Sequence, residues 1–214
     1  GEDLRAPGWR REDVAPERGH RWTTACHAFN EMGELAQADT VLERARECLG
    51  DDDADVLWAE GRLRLAQWRL ADARAAFVRL DPKIEGAPLV ENLALLADLD
   101  GDWARADELY RQASRIDPEG SPIPPRLTSD EFEDVVAEAA IELPDEFQKA
   151  LEEVPVITDP MPSAALVGAP ESGHPPDILG LFSGAPLGER GSSAPTELPP
   201  TIFLFQRNLE RAAR

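Results

Sequence analysis

Positive charge is scarce in this chain. Its 214 residues carry 22 Lys and Arg against 42 Asp and Glu, a formal charge of -20. Such a surface repels phosphate backbones and anionic lipid, which argues against a nucleic-acid or membrane-surface partner. Cysteine is scarcer still: Cys26 and Cys48 are too few for a disulfide framework. No apolar run approaches the roughly 20 residues that a membrane span needs. No charged-then-apolar leader opens the sequence, so the cytoplasm is the expected location. Histidine occurs only at His20, His27 and His174, none with a Glu beside it or a second His four residues on. There is no Gly-rich phosphate loop and no G-x-S-x-G elbow.

Proline is scarce as well, but only in the first part. Of 19 prolines, 14 follow residue 120. Residues 1–120 can therefore be continuous helix, whereas internal prolines would remove hydrogen bonds from any long helix after that point. Gly120-Ser-Pro-Ile-Pro-Pro125 favours extended backbone and marks the expected boundary.

What the first part does have is a repeat. Gly101-Asp-Trp-Ala-Arg-Ala106 is followed by Tyr110, Ala113 and Pro118. An earlier stretch gives Trp22, Gly33, Leu35, Ala38, Leu42 and Ala45, and a middle one gives Leu57, Gly61, Leu70, Ala73 and Phe77. With Ala38, Ala73 and Ala106 as equivalents, the offsets are 35 and 33, and the pattern resembles the tetratricopeptide (TPR) repeat, whose period is about 34 residues. The middle register is the loosest, because Trp68 would fit better two places later. Small residues let two helices approach; Phe77 and Tyr110 fill the gap to the next pair, and stacking buries the faces that one pair cannot. Gly33 and Gly101 are expected to end the first helix of their pairs in a left-handed conformation. Asp51-Asp-Asp-Ala-Asp55 leads into a helix N-terminus, where negative charge is favoured. Residues 1–18 show no periodicity and read as a tail or a frayed helix.

TPR arrays bind along the groove lined by their first helices. The candidates here are His27, Asn30, Trp58, Arg62, Glu91 and Asp98, for a protein or peptide partner. They are also ordinary residue types for solvated or packed helix faces. The groove lacks a Lys/Arg cluster, so an acidic C-terminal peptide is a poor match. Cys26-His27 with Cys48 fits no common zinc spacing, and Cys26 falls where the repeat wants a small packing residue.

In the second part, Thr128-Ser-Asp-Glu131 has the form of a capping box, and Phe132, Val135, Val136, Ala139, Ala140 and Leu143 follow on one helical face. Pro144 ends that helix, and Asp145 is expected to cap a short second one. Residues 130–159 hold 11 carboxylates and one Lys, without the loop glycine of a calcium-binding hand. Residues 154–158 read as a strand, at an edge because of Pro155. Residues 201–206 read as a second strand, buried on both faces because polar alternation is missing. Residues 207–214 read as the start of a helix. Part of the Pro/Gly/Ser-rich stretch at about 159–177 is expected to be mobile.

Five pieces in this order carry a resemblance: Ser129-Asp-Glu-Phe-Glu-Asp-Val-Val136; Leu143-Pro-Asp-Glu-Phe147; 154–158; Leu179-Gly-Leu-Phe182 with Gly184-Ala-Pro-Leu187 and Glu189-Arg190; and 202–208. Residues 128–214 resemble a small zincin-like metallopeptidase family found in bacteria. That resemblance implies a helix bearing H-E-x-x-H after the last strand, with two His binding zinc and the Glu activating a zinc-bound water. No such segment occurs in residues 1–214. The expectation is that the natural protein continues past Arg214, zinc being implied for that longer form and no cofactor for this chain.

The expected fold is thus mostly α: TPR-like helical hairpin repeats over 1–120, then a partial, small α+β zincin-like domain over 121–214. The expected function is that of a zinc metallopeptidase family protein with a partner-binding module. The alternative is a non-enzymatic TPR adaptor with a degenerate zincin-like tail. A further possibility is that the C-terminal half docks onto the TPR groove itself.

Overall fold

A computed structural model describes residues 11–169, 173–184 and 200–214. Among them are ten helices and one small three-stranded sheet. Six helices come first, as three consecutive pairs: α1 (Arg11–Glu31) with α2 (Leu35–Leu49), α3 (Ala54–Ala66) with α4 (Leu70–Phe77), and α5 (Pro82–Leu99) with α6 (Trp103–Ile116). Each pair reverses through a three-residue turn. Ala38, Ala73 and Ala106 sit at equivalent places in the second helices and are fully buried. Three apolar clusters run through the stack, one around Leu42, Val56 and Leu63, one around Leu57, Phe77 and Leu96, and one around Val90, Ala94 and Tyr110. α3 contributes to the first two and α5 to the last two, so each pair buries what its neighbour leaves open.

The turns explain the pairing and correct one alignment. Gly33 and Gly101 are left-handed, with φ of 74° and 77°. Gly61 is not their counterpart: it lies inside α3, where the ring of Phe77 leaves no room for a Cβ. The left-handed residue of the middle turn is Trp68, with φ of 59°. α1 also begins earlier than periodicity indicated. Its packing on α2 supplies the support that its own sequence pattern does not announce. Residues 1–10 lie outside the described residues.

The remaining elements are α7 (Ser129–Glu142), α8 (Asp145–Leu151), β1 (Val156–Asp159), α9 (Ala164–Val167), β2 (Gly180–Ser183), β3 (Thr201–Phe205) and α10 (Gln206–Ala212). The capping box forms at α7: Thr128 N donates to Glu131 Oε2 at 2.8 Å, and Glu131 N donates to Thr128 Oγ1 at 3.3 Å. Asp145 is the first residue of α8 rather than its cap. The sheet order is β1-β3-β2, with β1 parallel and β2 antiparallel to β3. β1 lies at an edge, where Pro155 costs no ladder bond. β3 is central, yet its expected burial on both faces holds only at its ends. Thr201 and Phe205 are buried, but Ile202, Phe203 and Leu204 are half-buried, because Ile202 and Leu204 face an open apolar cavity. Within the Pro/Gly-rich stretch, α9 buries Val167, and Pro176 is fully buried. The motif residues 185–187 and 189–190 lie outside the described residues.

Candidate functional site

Two features stand out: the face formed by the first helices, and the apolar cavity beside the sheet. On the first, four of the six predicted groove residues, Trp58, Arg62, Glu91 and Asp98, are met by the chain itself. Asn30 and Arg62 line a pocket of about 110 Å³ together with Pro175, Pro176 and Asp177. Arg62 also donates to Asn92 Oδ1 at 3.2 Å and pairs with Glu31 at 3.4 Å. Trp58 stands edge-on to Phe77, with centroids 5.7 Å apart, in the apolar cluster that Met161 joins. Glu91 pairs with Arg214 Nη1 at 2.5 Å. His27 is half-buried in α1; burial, and then the Arg62 charge, lower its pKa from the ordinary value.

Asp98 is the centre of the most buried polar network. Its side chain is 1% exposed. It accepts from Tyr110 Oη at 3.1 Å and from Arg207 Nη1 at 3.2 Å, and Arg126 Nη2 stands 4.0 Å away. Arg207 continues to Asp107 at 3.0 Å and lies over the Trp103 ring at 4.6 Å. Arg126 bridges Asp107 and Glu210, both at 2.8 Å, and lies over the Tyr110 ring at 5.3 Å. Glu210, with its side chain 2% exposed, also accepts from Leu127 N at 3.0 Å and Gln206 Nε2 at 2.8 Å. Burial pushes the Asp98 carboxyl above its usual range, and Arg207, Arg126 and Tyr110 pull against that shift. Burial and the Asp98 charge push the Tyr110 phenol up to about 12, so it stays a hydrogen-bond donor at neutral pH. Periodicity placed Asp98 on a first helix, where it lies. It missed Arg126, Arg207 and Glu210, whose partners lie far away in sequence and leave no local pattern.

The cavity lies between α7 and the sheet. It measures about 490 Å³ and is apolar except for Glu210. α7 lines it with Phe132, Val135, Val136 and Ala139, the sheet with Val156, Ile202 and Leu204, and α10 with Leu209, followed by Ala213 at its C-cap. The predicted apolar face of α7 is therefore present but largely uncovered: only Phe132 is buried, and Val135 is 49% exposed. A second apolar hollow of about 370 Å³ continues beneath α8, sharing Leu143, Leu151 and Ile202.

Neither feature builds a zinc site. Among the described residues no three of His, Cys, Asp and Glu are grouped to hold a metal ion. His20 contacts Asp55 at 2.7 Å, His27 lies in α1, and His174 is exposed in the segment before β2. Burial pushes the Cys26 thiol up to about 11, which suits a packing residue rather than a thiolate ligand.

Comparison with known families separates the two features. Residues 151–214 match the zincin-like metallopeptidase family. The match spans β1, α9, β2, β3 and α10, which supply one wall of the cavity and the α10 side of the Asp98 network. Residues 151–214 are thus similar to a metallopeptidase family whose full-length members imply zinc, and no metal site is formed among the described residues of this chain. The six-helix stack fits a repeat array. No curated protein matches the chain. No helix among the described residues is long and apolar enough to cross a membrane.

Proposed function

We propose that this chain is the scaffold of a zincin-like zinc metallopeptidase, joined to a TPR-type array. The cavity carries the reading. An apolar helix face and an apolar sheet face look at each other across about 490 Å³, and no element among the described residues buries them. Exposed apolar surface on this scale favours an occupant. The family's H-E-x-x-H helix follows the last strand, and here the cavity is bordered by α10, which follows β3. The occupant is thus a helix whose apolar side packs against Val136 and Leu204 and whose other side carries the metal ligands. The scaffold would contribute β1 as an exposed edge strand able to pair with an extended peptide.

A form extended by an H-E-x-x-H segment after Arg214 should hold about one zinc per chain, as such sites do, and should cleave an unstructured protein. Metal analysis of the purified extended form decides: no bound zinc, with a folded array by circular dichroism, defeats the proposal. The adaptor reading predicts that metal-free result, together with a folded protein whose partner is retained without any peptidase activity.

A further inference from the structure

The first-helix face of the array is used by the chain itself. We propose that this face is the docking site of the C-terminal unit, so that seating of α10 and capture of an outside peptide exclude each other. The inference stands apart from zinc and concerns what the array binds.

Trp68 is the first observation. It is the one non-glycine residue with positive φ among the described residues, in a turn whose two counterparts use glycine. A bulky side chain is strained there, and strain that persists marks a position held for another purpose. The indole has such a purpose: Nε1 donates to the His174 carbonyl oxygen at 2.8 Å. Two residues on, the Pro176 carbonyl accepts from Asn208 Nδ2 at 3.0 Å, and Ile178 O accepts from the same nitrogen at 2.7 Å. Trp68 therefore holds the segment that holds α10.

The second observation lies at the other end of the face. The buried carboxylate of Asp98 is met by Arg207 and Arg126, and Glu91 is met by Arg214. All three cations come from beyond residue 120, so the array alone would keep for Asp98 only the hydrogen bond from Tyr110. An outside ligand can take this place only by supplying the same chemistry: an arginine at Asp98 and an extended, proline-bearing stretch beneath Trp68. Such a ligand must expel Arg207 and residues 174–177, and α10 then loses its anchor.

The test uses the full chain with a protease site inserted after Glu119, an exposed turn residue. The purified protein is cut, and association of its two halves is measured by gel filtration and titration. The wild-type halves should co-elute at micromolar concentration. Trp68→Gly restores the residue type of the sister turns, so it should fold, yet it should weaken association about fivefold through one lost hydrogen bond. Arg207→Gln should weaken it by about tenfold or more, because a charge-assisted bond is lost. Arg44→Gln, which removes only an exposed pair with Glu47, should change nothing. Wild-type halves that separate, or a folded Trp68→Gly chain whose halves hold as tightly as wild type, would overturn the proposal. The readout involves no metal, so its failure leaves the peptidase reading standing, and a zinc-free extended form leaves this one standing.

Discussion

His27 shows how one side chain couples the array to pH. Its imidazole is half-buried on α1 with Arg62 near it, and both effects disfavour the charged form. The folded-state pKa is below the ordinary 6.5. The unfolded chain therefore binds the proton first as pH falls. The stability that neutral His27 contributes is fully present above pH 6.5 and is lost as pH falls from there through the folded value. Urea unfolding of wild type and His27→Gln should show the wild type losing ground to the variant between pH 7.5 and 5.5. A constant difference between the two would mean that Arg62 and burial do not act on this ring. Helical period alone placed the six candidates on the first helices, where the structure has them. What answers them was not legible: Asp98 and Arg207 are 109 positions apart, and no periodicity links such a pair.

At the scale of elements, the second-helix alanines made the pairs legible, since a close helix approach demands a small residue at a fixed place in each repeat. The middle turn was not legible, because Trp68 occupies a position where the pattern leads one to look for glycine. Gly61 was misleading for a related reason. Its small size serves a helix–helix approach, not a turn, and the Phe77 ring fills the space its side chain would need. Gly61→Ala should therefore destabilise the array by about 1–3 kcal/mol through overpacking, even though alanine is the better helix former. Thermal or urea unfolding reads this directly, and a stabilised Gly61→Ala chain would show that α3 and α4 can move apart. α7 teaches the complementary lesson. Its start was written in Thr128 and Glu131 and its face in Phe132, Val135 and Val136. Amphipathicity announces that a face wants cover but not which element covers it.

For the whole molecule, the uncovered cavity has a measurable consequence. A neutral probe is needed, since a chain of charge -20 repels anionic dyes. Nile red should fluoresce with the folded 214-residue chain. Val136→Glu, placing a charge in the cavity wall, should cut that signal while leaving the unfolding of the array unchanged. A dark folded chain would mean that α7 closes onto the sheet in solution. The sheet order carries a different consequence. β3, the middle strand, is made after both of its neighbours, so the three-stranded sheet among the described residues cannot form until residue 205 has been made. The six-helix stack can assemble while the chain is still growing. Asp98 then waits, solvated, through more than a hundred further residues before Arg207 arrives, so the array and its buried ion pairs are completed at well-separated moments of synthesis.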